Sequence, residues 1–257
     1  MGLMVGTSSK MNMTSSQAAT YLDTLRPLVA DIVDRELFVL LPFPSIWVAR
    51  DQLTNSNIRW GAQDVHPEDA GAHTGDVSAP MLADLGCTYV EVGHHERRRD
   101  YGETNELVAA KVQAVQRWGM TPIVCVGEDR RAPLDAVVAA IDRQLGLLRS
   151  CDLRRLVIAY EPAWAIGTGA RPASAGWVGR VQTAISARLM AWKQDARGIP
   201  IIYGGSVGLA GTRALLAQPG VGGLFVGRRA LDPRVFAAIA HVGLDPGGSG
   251  RHARIGS

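Results

Sequence analysis

Short apolar segments recur at nearly regular intervals along the whole chain. Each is bounded by glycine, proline or a polar turn, and most are apolar throughout instead of alternating with polar residues. Strands that are buried on both faces of a parallel sheet have this pattern. We therefore predict eight strands, at residues 3–7, 37–41, 58–63, 89–93, 122–126, 156–160, 201–203 and 223–226.

Amphipathic segments lie between the predicted strands. In the first of them, apolar residues at steps of three and four define one face of a helix: Ala18, Leu22, Leu25, Val29 and Ile32. Thr14 and Gln17 have the spacing of a capping box at its start, and Pro27 predicts a kink or a split within it. Further helices are predicted at 108–118, 134–148 and 233–240.

Alternating strands and helices indicate βαβ units, and two architectures are compatible with them, a closed barrel and an open doubly wound sheet. The length of 257 residues favours the barrel, which typically has about 250. The chain has no Gly-x-Gly-x-x-Gly after the first strand and no Walker-type Gly-x-x-x-x-Gly-Lys, so a nucleotide-binding open sheet is disfavoured. We predict an α/β protein with a single (β/α)8 barrel domain at 1–246 and a Gly/Ser/Arg-rich tail at 247–257.

Composition narrows the class of protein further. With 47% apolar residues the chain is not expected to be disordered, and its longest apolar run, 37–43, is too short to span a membrane. The three cysteines are unclustered and no signal-like segment opens the chain, so we expect a cytoplasmic protein. A net charge of +3 is too small for a nucleic-acid surface, which leaves a small anion as the better partner of the local arginine clusters.

Polar residues follow the predicted strands, where the loops of a barrel carry its chemistry. They are Ser8 and Lys10 after strand one, His94, His95 and Glu96 after strand four, Glu161 after strand six, Gly204, Gly205 and Ser206 after strand seven, and Gly227 and Arg228 after strand eight. The glycine-rich turns after the last two strands favour a phosphate group held by backbone N–H groups. No metal-ligand spacing is present, so no metal is predicted.

A lysine, a histidine and a glutamate around a bound phosphate suit proton abstraction next to a carbonyl group. The glutamate would be the base, and the lysine and histidine would polarise the oxygen. An imine on Lys10 is the remaining alternative, and nothing in the chain points to a hydride carrier or another cofactor.

Four segments resemble the signature segments of the triosephosphate isomerase family, in the same order and at the same spacing, and the resemblance covers nearly the whole chain. They are GTSSKMN at 6–12, GHHERR at 93–98, YEPAWAIGTG at 160–169 and YGGSV at 203–207. The resemblance implies a TIM barrel, with neither cofactor nor metal, that interconverts glyceraldehyde 3-phosphate and dihydroxyacetone phosphate through an enediolate. It also implies a homodimer formed through an interdigitating loop at 63–81, which includes Thr74 and Gly75. Neither nucleic acid nor membrane is an expected partner.

The resemblance implies a role for each matching residue. Glu161 would move the proton between adjacent carbons, His94 would act as a neutral electrophile at a helix N-terminus, and Lys10 would supply positive charge. The set that binds the sugar-phosphate substrate would comprise Ser8, Lys10, Gly167, Ser206, Gly227 and Arg228.

A lid at 162–172 would close over the substrate and exclude water. Its residues include Pro162, Ala163, Trp164, Ala165, Ile166, Gly167, Thr168 and Gly169. Two further acidic residues would be structural: Glu96, paired with Lys10 or an arginine, and Glu103, bracing Arg97.

Several residues depart from the family's usual pattern close to the substrate. Ser8 and Ser9 stand where Asn and Trp are usual, His95 replaces a serine that would hold the resting glutamate, and Arg228 replaces a glycine. A hinge that usually contains lysine is Ala-Arg-Pro at 170–172. Loss of the asparagine would open room for about one hydroxymethyl group.

These departures leave the length of the substrate open. The Thr-Ser pair before Lys10, the Pro-Ala-Ser hinge and the Gly-Arg pair also resemble the four-carbon branch of the family, which interconverts erythrulose 1-phosphate and erythrulose 4-phosphate in erythritol breakdown. Two other hypotheses remain beside an active isomerase. One is a weakly catalytic, phosphate-binding barrel, and the other is a different barrel chemistry such as a lyase, which would need a Schiff-base lysine or metal ligands.

Overall fold

The computed structural model describes residues 2–167, 169, 171–192, 196 and 198–244, and its centre is a closed barrel of parallel strands in chain order. All eight predicted strands are confirmed, and their ends lie within two residues of the predicted ones. They are β1 (Leu3–Ser8), β2 (Arg35–Leu41), β3 (Ile58–Ala62), β4 (Tyr89–Val92), β5 (Thr121–Val126), β6 (Val157–Tyr160), β7 (Ile201–Tyr203) and β8 (Gly223–Val226). The predicted tail at 247–257 lies outside the described residues.

Helices connect the strands and cover the outside of the barrel. They are α1 (Ser15–Leu28), α2 (Ile46–Leu53), α3 (Ala79–Asp84), α4 (His95–Tyr101), α5 (Asn105–Arg117), α6 (Leu134–Leu145), α7 (Ala175–Trp192), α8 (Leu209–Leu216) and α9 (Pro233–His241). No helix in the described part of the chain combines the length and the apolar character that crossing a bilayer requires.

The start of α1 follows its sequence pattern, whereas its end does not. Thr14 Oγ1 accepts a hydrogen bond from the Gln17 N–H at 3.3 Å, and Gln17 Oε1 accepts one from the Thr14 N–H at 2.9 Å, which confirms the capping box. The split predicted at Pro27 is wrong, because α1 continues through Pro27 and ends one residue later, at Leu28. Pro27 has no N–H to donate to the Asp23 carbonyl oxygen, so the last turn lacks one helical hydrogen bond.

Apolar side chains fill the inside of the barrel and a second layer between the strands and the helices. Successive side chains of a strand point to opposite faces, so Val39 belongs to the outer layer and Leu40 to the inner one. Inside, the Phe38 ring packs against Tyr89 and Phe225 at centroid distances of 5.2 and 5.6 Å. This aromatic plug permits only glycine at position 6, where a Cβ would lie 2.0 Å from the Phe38 ring.

The inner face of the barrel becomes polar at the carboxyl ends of its strands. Side chains two positions apart on a strand point to the same face, so the next inward-facing positions of β1, β4, β5 and β6 also face the inside of the barrel. These positions carry polar or ionisable side chains: Ser8, Glu91, Cys125 and Glu161. The strand alternation that buries the aromatic plug therefore also directs these four side chains toward one another, above it.

Candidate active site

A cavity of about 1280 Å³ opens at the carboxyl ends of the strands, and the residues predicted for catalysis meet there. His94 Nε2 lies 3.4 Å from Glu161 Oε2 and 3.3 Å from Lys10 Nζ. The same cavity is lined by the residues predicted to bind substrate: Ser8, Lys10, Gly167, Ser206, Gly227 and Arg228. The structure thus brings the predicted catalytic and binding residues to one place.

Lys10 is held in position from both its backbone and its side chain. Its φ of 51° lies in the left-handed region, which is uncommon for a residue other than glycine. The Lys10 Nζ ammonium donates to Glu96 Oε1 at 2.7 Å, and the Lys10 carbonyl oxygen accepts from Gln63 Nε2 at 3.3 Å. The pairing of Glu96 with Lys10 expected from the sequence is therefore present, and it keeps the cation at the mouth of the cavity.

His94 caps the N-terminus of α4, and this contact determines where its ring carries a proton. His94 Nδ1 accepts a hydrogen bond from the Glu96 N–H at 3.2 Å, so the neutral ring has its hydrogen on Nε2, which faces Glu161. Burial, aided by the charge of Lys10, lowers the pKa of His94 against the opposing effect of Glu161. The ring is therefore a neutral hydrogen-bond donor.

Glu161 follows β6 directly and is almost completely buried, with 4% of its surface exposed. Two glycines make its position possible. At Gly204 a Cβ would lie 2.7 Å from Glu161 Cγ, and at Gly127 it would lie 2.1 Å from the Glu161 carbonyl oxygen. Side chains at either position would displace the glutamate.

His95 contacts the same carboxylate from a second direction. His95 Nδ1 lies 3.7 Å from Glu161 Oε2, so the residue that departs from the family's pattern stands beside the glutamate that the usual serine would hold. Burial alone would raise the pKa of Glu161, but its contacts with the His94 and His95 rings, together with the charge of Lys10, outweigh burial and lower it. Glu161 is therefore ionised at neutral pH, as a base must be.

The residues predicted to hold phosphate lie on three neighbouring loops. Ser206 uses both its N–H and its Oγ on the carbonyl oxygen of Ala165, at 3.2 and 2.8 Å, which ties the loop after β7 to the predicted lid. Arg228, which replaces a glycine of the family's pattern, keeps its φ outside the left-handed region. Its side chain is therefore accommodated without backbone strain.

The predicted lid begins with a 3₁₀ turn at Ala163–Ala165, and a glutamate that the sequence analysis did not identify anchors it. Glu128 Oε1 accepts from Trp164 Nε1 at 2.8 Å and from the Tyr160 hydroxyl at 3.0 Å. Thr168 and position 170 lie outside the described residues. Nothing in the spacing of the sequence marks Glu128, because its partners lie on β6 and in the lid.

Glu91 is the second residue that sequence reasoning missed. It lies on β4, lines the cavity and is hydrogen-bonded to Ser8, with Ser8 Oγ 2.8 Å from Glu91 Oε2. The sequence signal was an acidic residue within an otherwise apolar run, and only the structure shows that Glu91 faces inward, two positions beyond Tyr89 of the inner layer.

Beside the cavity, four charged side chains form what we call the Asp64 network: Asp64, Arg97, Glu103 and Lys111. Arg97 Nε donates to Glu103 Oε1 at 2.7 Å, as expected from the sequence, and Arg97 Nη2 lies 2.9 Å from Asp64 Oδ2. Lys111 Nζ lies 2.6 Å from Asp64 Oδ1 and 2.5 Å from Glu103 Oε1. The network fixes the start of α4, and with it the loop that carries His94.

Two sets of side chains in the cavity have ligand atoms within 4.8 Å of one another: His94, His95 and Glu161, and Glu91, Cys125 and Glu161. A third set, His66, His73 and Asp76, lies on the loop at 63–81. Both cavity sets include Glu161, so a metal ion there would occupy the carboxylate that the chemistry needs as a base. We therefore treat Glu161 as a base and not as a metal ligand.

A barrel whose mouth holds an ionised carboxylate, a neutral imidazole and an ammonium group defines an enzyme that moves a proton next to a carbonyl group. The family model for triosephosphate isomerase matches residues 3–243 of the chain. The chain belongs to the triosephosphate isomerase family. The predictions of this family, of the barrel fold and of an isomerase are thereby confirmed.

Individual relatives carry two different names. A triosephosphate isomerase of Synechococcus sp. (strain JA-3-3Ab) is 41% identical over 249 residues, covering 93% of this chain and 94% of that protein. An L-erythrulose-1-phosphate isomerase of Mesorhizobium japonicum is 39% identical over 233 residues, covering 88% of this chain and 91% of that protein. The crystal structure of triosephosphate isomerase from Bartonella henselae is similar with a TM-score of 0.83 at 30% identity, covering 94% of this chain and 98% of that one.

Proposed function

We propose that the chain interconverts glyceraldehyde 3-phosphate and dihydroxyacetone phosphate by moving a proton between adjacent carbons. The observation that carries this proposal is the meeting of Glu161 Oε2, His94 Nε2 and Lys10 Nζ, whose successive separations are 3.4 and 3.3 Å. The relatives that are named triosephosphate isomerase support the choice of substrate.

Glu161 acts as the base of this reaction. Its carboxylate takes a proton from the carbon next to the carbonyl group and returns it to the neighbouring carbon. The low pKa that His94, His95 and Lys10 maintain keeps the carboxylate ionised before the substrate arrives. Gly204, which lies against the side chain, leaves it room in this position.

His94 and Lys10 stabilise the oxygen that becomes negative when the proton leaves. His94 Nε2–H donates a hydrogen bond to it, and the Lys10 ammonium supplies a fixed positive charge. Because the pKa of His94 is lowered, the ring is neutral, and since Nδ1 accepts from the Glu96 N–H, its one hydrogen lies on Nε2. Glu96 holds Lys10 in place at 2.7 Å, so the cation is positioned in advance.

The phosphate group lies on the loops after β6, β7 and β8, where Gly167, Gly227 and Arg228 offer backbone N–H groups. The Ser206 N–H joins them when the lid moves and its hydrogen bond to the Ala165 carbonyl oxygen breaks. Closure of the lid at 162–172 excludes water, which protects an enediolate from losing its phosphate. Ser206 is bonded to Ala165 of the lid, so lid movement and phosphate binding are linked.

A second candidate function is the interconversion of erythrulose 1-phosphate and erythrulose 4-phosphate. The observation that favours it is the polar floor of the cavity, where Ser8 and Glu91 are hydrogen-bonded to each other at 2.8 Å. The Mesorhizobium japonicum relative named L-erythrulose-1-phosphate isomerase is nearly as similar to the chain as the Synechococcus relative is.

The measurement that decides is kcat/KM for glyceraldehyde 3-phosphate and for erythrulose 1-phosphate, side by side, with Glu161→Gln as the blank. A triose value near the diffusion ceiling of ~10⁸ M⁻¹s⁻¹ supports the triose, and a far lower value with faster tetrulose turnover supports the four-carbon reaction. Glu106→Gln, at an exposed position of α5, is the matched control. A wild type no faster than the blank on either substrate would leave a phosphate-binding barrel without this catalysis.

The proposal also includes a cytoplasmic homodimer in which the loop at 63–81 inserts into the partner. Thr74 and Gly75 are exposed in the single chain, which leaves them available for this contact. Light scattering is expected to give twice the chain mass for the wild type and the single mass for Thr74→Arg. A monomeric wild type would contradict the dimer.

A further inference from the structure

Glu91 is a buried carboxyl group that the proposed mechanism does not use. Only 3% of its surface is exposed, and it lines the same cavity as Lys10 and Glu161. One oxygen of Glu91, one oxygen of Glu161 and the sulfur of Cys125 all lie within 4.8 Å of one another. Glu91 therefore forms part of the floor beside the group that transfers the proton.

The hydrogen bonds around Glu91 indicate which group carries a proton. Ser8 Oγ lies 2.8 Å from Glu91 Oε2 and 2.9 Å from Gln63 Oε1. The carbonyl oxygen of Lys10 accepts from Gln63 Nε2, so Gln63 Oε1 faces Ser8 as an acceptor. Because Ser8 has a single hydroxyl proton, both contacts are hydrogen bonds only when that proton goes to Gln63 and a protonated Glu91 donates to Ser8.

The charges near the two carboxyl groups lead to the same assignment. Glu161 faces His94 and His95 at 3.4 and 3.7 Å, whereas the hydrogen-bond partners of Glu91 are the uncharged side chains of Ser8 and Cys125. Two carboxyl groups this close do not both ionise readily, so the proton stays on the one with uncharged partners. Burial raises the pKa of Glu91 to about 8, and the charge of Glu161 adds to the rise.

We propose that Glu91 is a specificity-determining residue whose neutral carboxyl group, together with Ser8, hydrogen-bonds a hydroxyl group at the end of the substrate remote from the phosphate. In the closed ring of strands β4 lies opposite β8, so Glu91 stands across the barrel from Gly227 and Arg228 of the proposed phosphate site. The inference rests on the proposed function and deepens it, because it assigns the hydroxymethyl group of a four-carbon substrate to a particular contact.

Polar contacts in the floor of the cavity distinguish the two substrates. The cavity as a whole, about 1280 Å³, is larger than either of them. When Glu91 Oε2 donates to Ser8, Glu91 Oε1 remains an acceptor that faces only the weak Cys125 thiol donor at 3.6 Å. An additional substrate hydroxyl would bond to this oxygen, and a shorter substrate would leave it unused.

The neutral form of Glu91 is compatible with the chemistry above it, whereas the ionised form is not. The reaction builds negative charge on the substrate next to Glu161. A second carboxylate in the floor would repel that charge in a site that excludes water, where electrostatic effects are large. A protonated carboxyl group hydrogen-bonds a hydroxyl without this repulsion.

Two substitutions separate a contact with the substrate from a structural role. Glu91→Gln keeps a neutral hydrogen-bonding side chain of the same length, and Glu91→Leu removes the polar group while filling the space. The readout is the ratio of kcat/KM for erythrulose 1-phosphate to that for glyceraldehyde 3-phosphate, with Glu161→Gln as the blank and thermal unfolding as the check of folding. We expect Glu91→Leu to lower this ratio by about 10-fold or more and Glu91→Gln to keep it within about 3-fold.

The possible failures are distinguishable. A wild type no faster than the Glu161→Gln blank on either substrate would overturn the proposed function together with the inference. A wild type active on the triose alone, or a ratio that Glu91→Leu leaves unchanged, would overturn the inference only. Equal losses on both substrates would show that Glu91 acts on Glu161 and not on a substrate hydroxyl.

If Glu91→Leu does not fold, Glu91→Gln decides. A ratio that falls 10-fold or more in Glu91→Gln overturns the inference, and a retained ratio together with the pH response below supports it.

A pH series provides the second readout. The ionisable groups that face Glu91 are Glu161 after β6, Cys125 on β5 and Lys10 after β1, and all three are present in Glu91→Gln. As the pH rises through about 8, Glu91 loses its proton and kcat/KM for erythrulose 1-phosphate is expected to fall in the wild type. In Glu91→Gln this fall should be absent. A fall of the same size in both proteins would overturn the assignment of the proton to Glu91.

Discussion

Two clusters of buried charged side chains differ in how their charges are paired. In the Asp64 network, beside α4 and α5, each of two carboxylates faces two cations at 2.5 to 2.9 Å, and of their oxygens Glu103 Oε2 has no hydrogen-bond partner among the described residues. In the mouth of the barrel, Glu161 Oε2 has no hydrogen-bond partner among the described residues, and its nearest ring nitrogens lie 3.4 and 3.7 Å away. Glu91, close to it, is bonded to uncharged groups.

The difference separates charges that support the fold from charges that are available to a substrate. Buried ions are retained in a fold when opposite charges and hydrogen bonds satisfy them, as in the Asp64 network. In that network burial raises the pKa of Asp64, whereas the bonds from Lys111 and Arg97 lower the pKa of Glu103 despite its burial. The incomplete pairing of Glu161 leaves its carboxylate free to take a proton, at a cost in stability that the rest of the fold offsets.

Breaking the Asp64 network should have the largest effect, and it should be an effect on stability. Lys111→Met leaves two buried carboxylates with one cation, and we expect a loss of about 3–5 kcal/mol in the free energy of unfolding. Denaturant unfolding measures it. Arg117→Met, which removes an exposed pair with Asp69, is the control and should cost no more than about 1 kcal/mol. Equal costs for the two substitutions would contradict the distinction between the clusters.

Shortening the base should affect activity and leave stability unchanged. Glu161→Asp withdraws the carboxylate by one methylene group, and we expect kcat to fall by about 10²-fold or more. Steady-state kinetics measure this fall, and the melting temperature should remain close to that of the wild type because no paired charge is lost. A variant that retains the wild-type kcat would show that Glu161 is not the base.

A smaller loss is expected when the base is displaced without being shortened. In Gly204→Ala the new Cβ would lie 2.7 Å from Glu161 Cγ, so the carboxylate must move, and kcat should fall by about 10-fold with a smaller change in KM. Gly211→Ala is the control, because a Cβ at that position meets no atom within 4 Å. If the two alanine variants have the same kcat, the close packing of Glu161 is not required for its role.

The smallest predicted effect concerns the pH dependence. His95 helps to lower the pKa of Glu161, so His95→Ser removes one stabilising contact and raises that pKa. Because a higher pH is then needed to ionise the base, the acid limb of the kcat/KM profile should move to higher pH. His241→Ser, far from the cavity, is the control and should leave the acid limb of the kcat/KM profile at the wild-type pH. A shift toward lower pH after His95→Ser would refute the contact as described.

Much of the fold could be predicted because the signals that define it are local. Apolar runs define the strands, and the side chains of Thr14 and Gln17 form the capping box within three residues of each other. The end of α1 beside Pro27 could not be predicted, because the apolar pattern continues to Val29 and Ile32, whereas the helix ends at Leu28.

The site could be predicted where a residue follows the end of a strand, as Lys10, His94 and Glu161 do. Glu91 could not be identified in this way, because it lies inside an apolar strand, and such a run does not show which positions face inward. Its environment depends on Ser8 and Cys125, which closure of the ring brings near it from β1 and β5. Glu128 likewise acquires its anchoring role only through contacts with distant residues.

The aromatic plug of Phe38, Tyr89 and Phe225 fills the barrel beneath the cavity, so solvent reaches Glu161 from the mouth. In the proposed reaction, a deuterium atom that Glu161 takes from a deuterated substrate carbon therefore has one direction of escape. While the proposed lid is closed over the mouth, the deuterium would return to the product carbon before it exchanges with water. The fraction of isotope that survives in the product thus measures how long the mouth stays covered during each turnover.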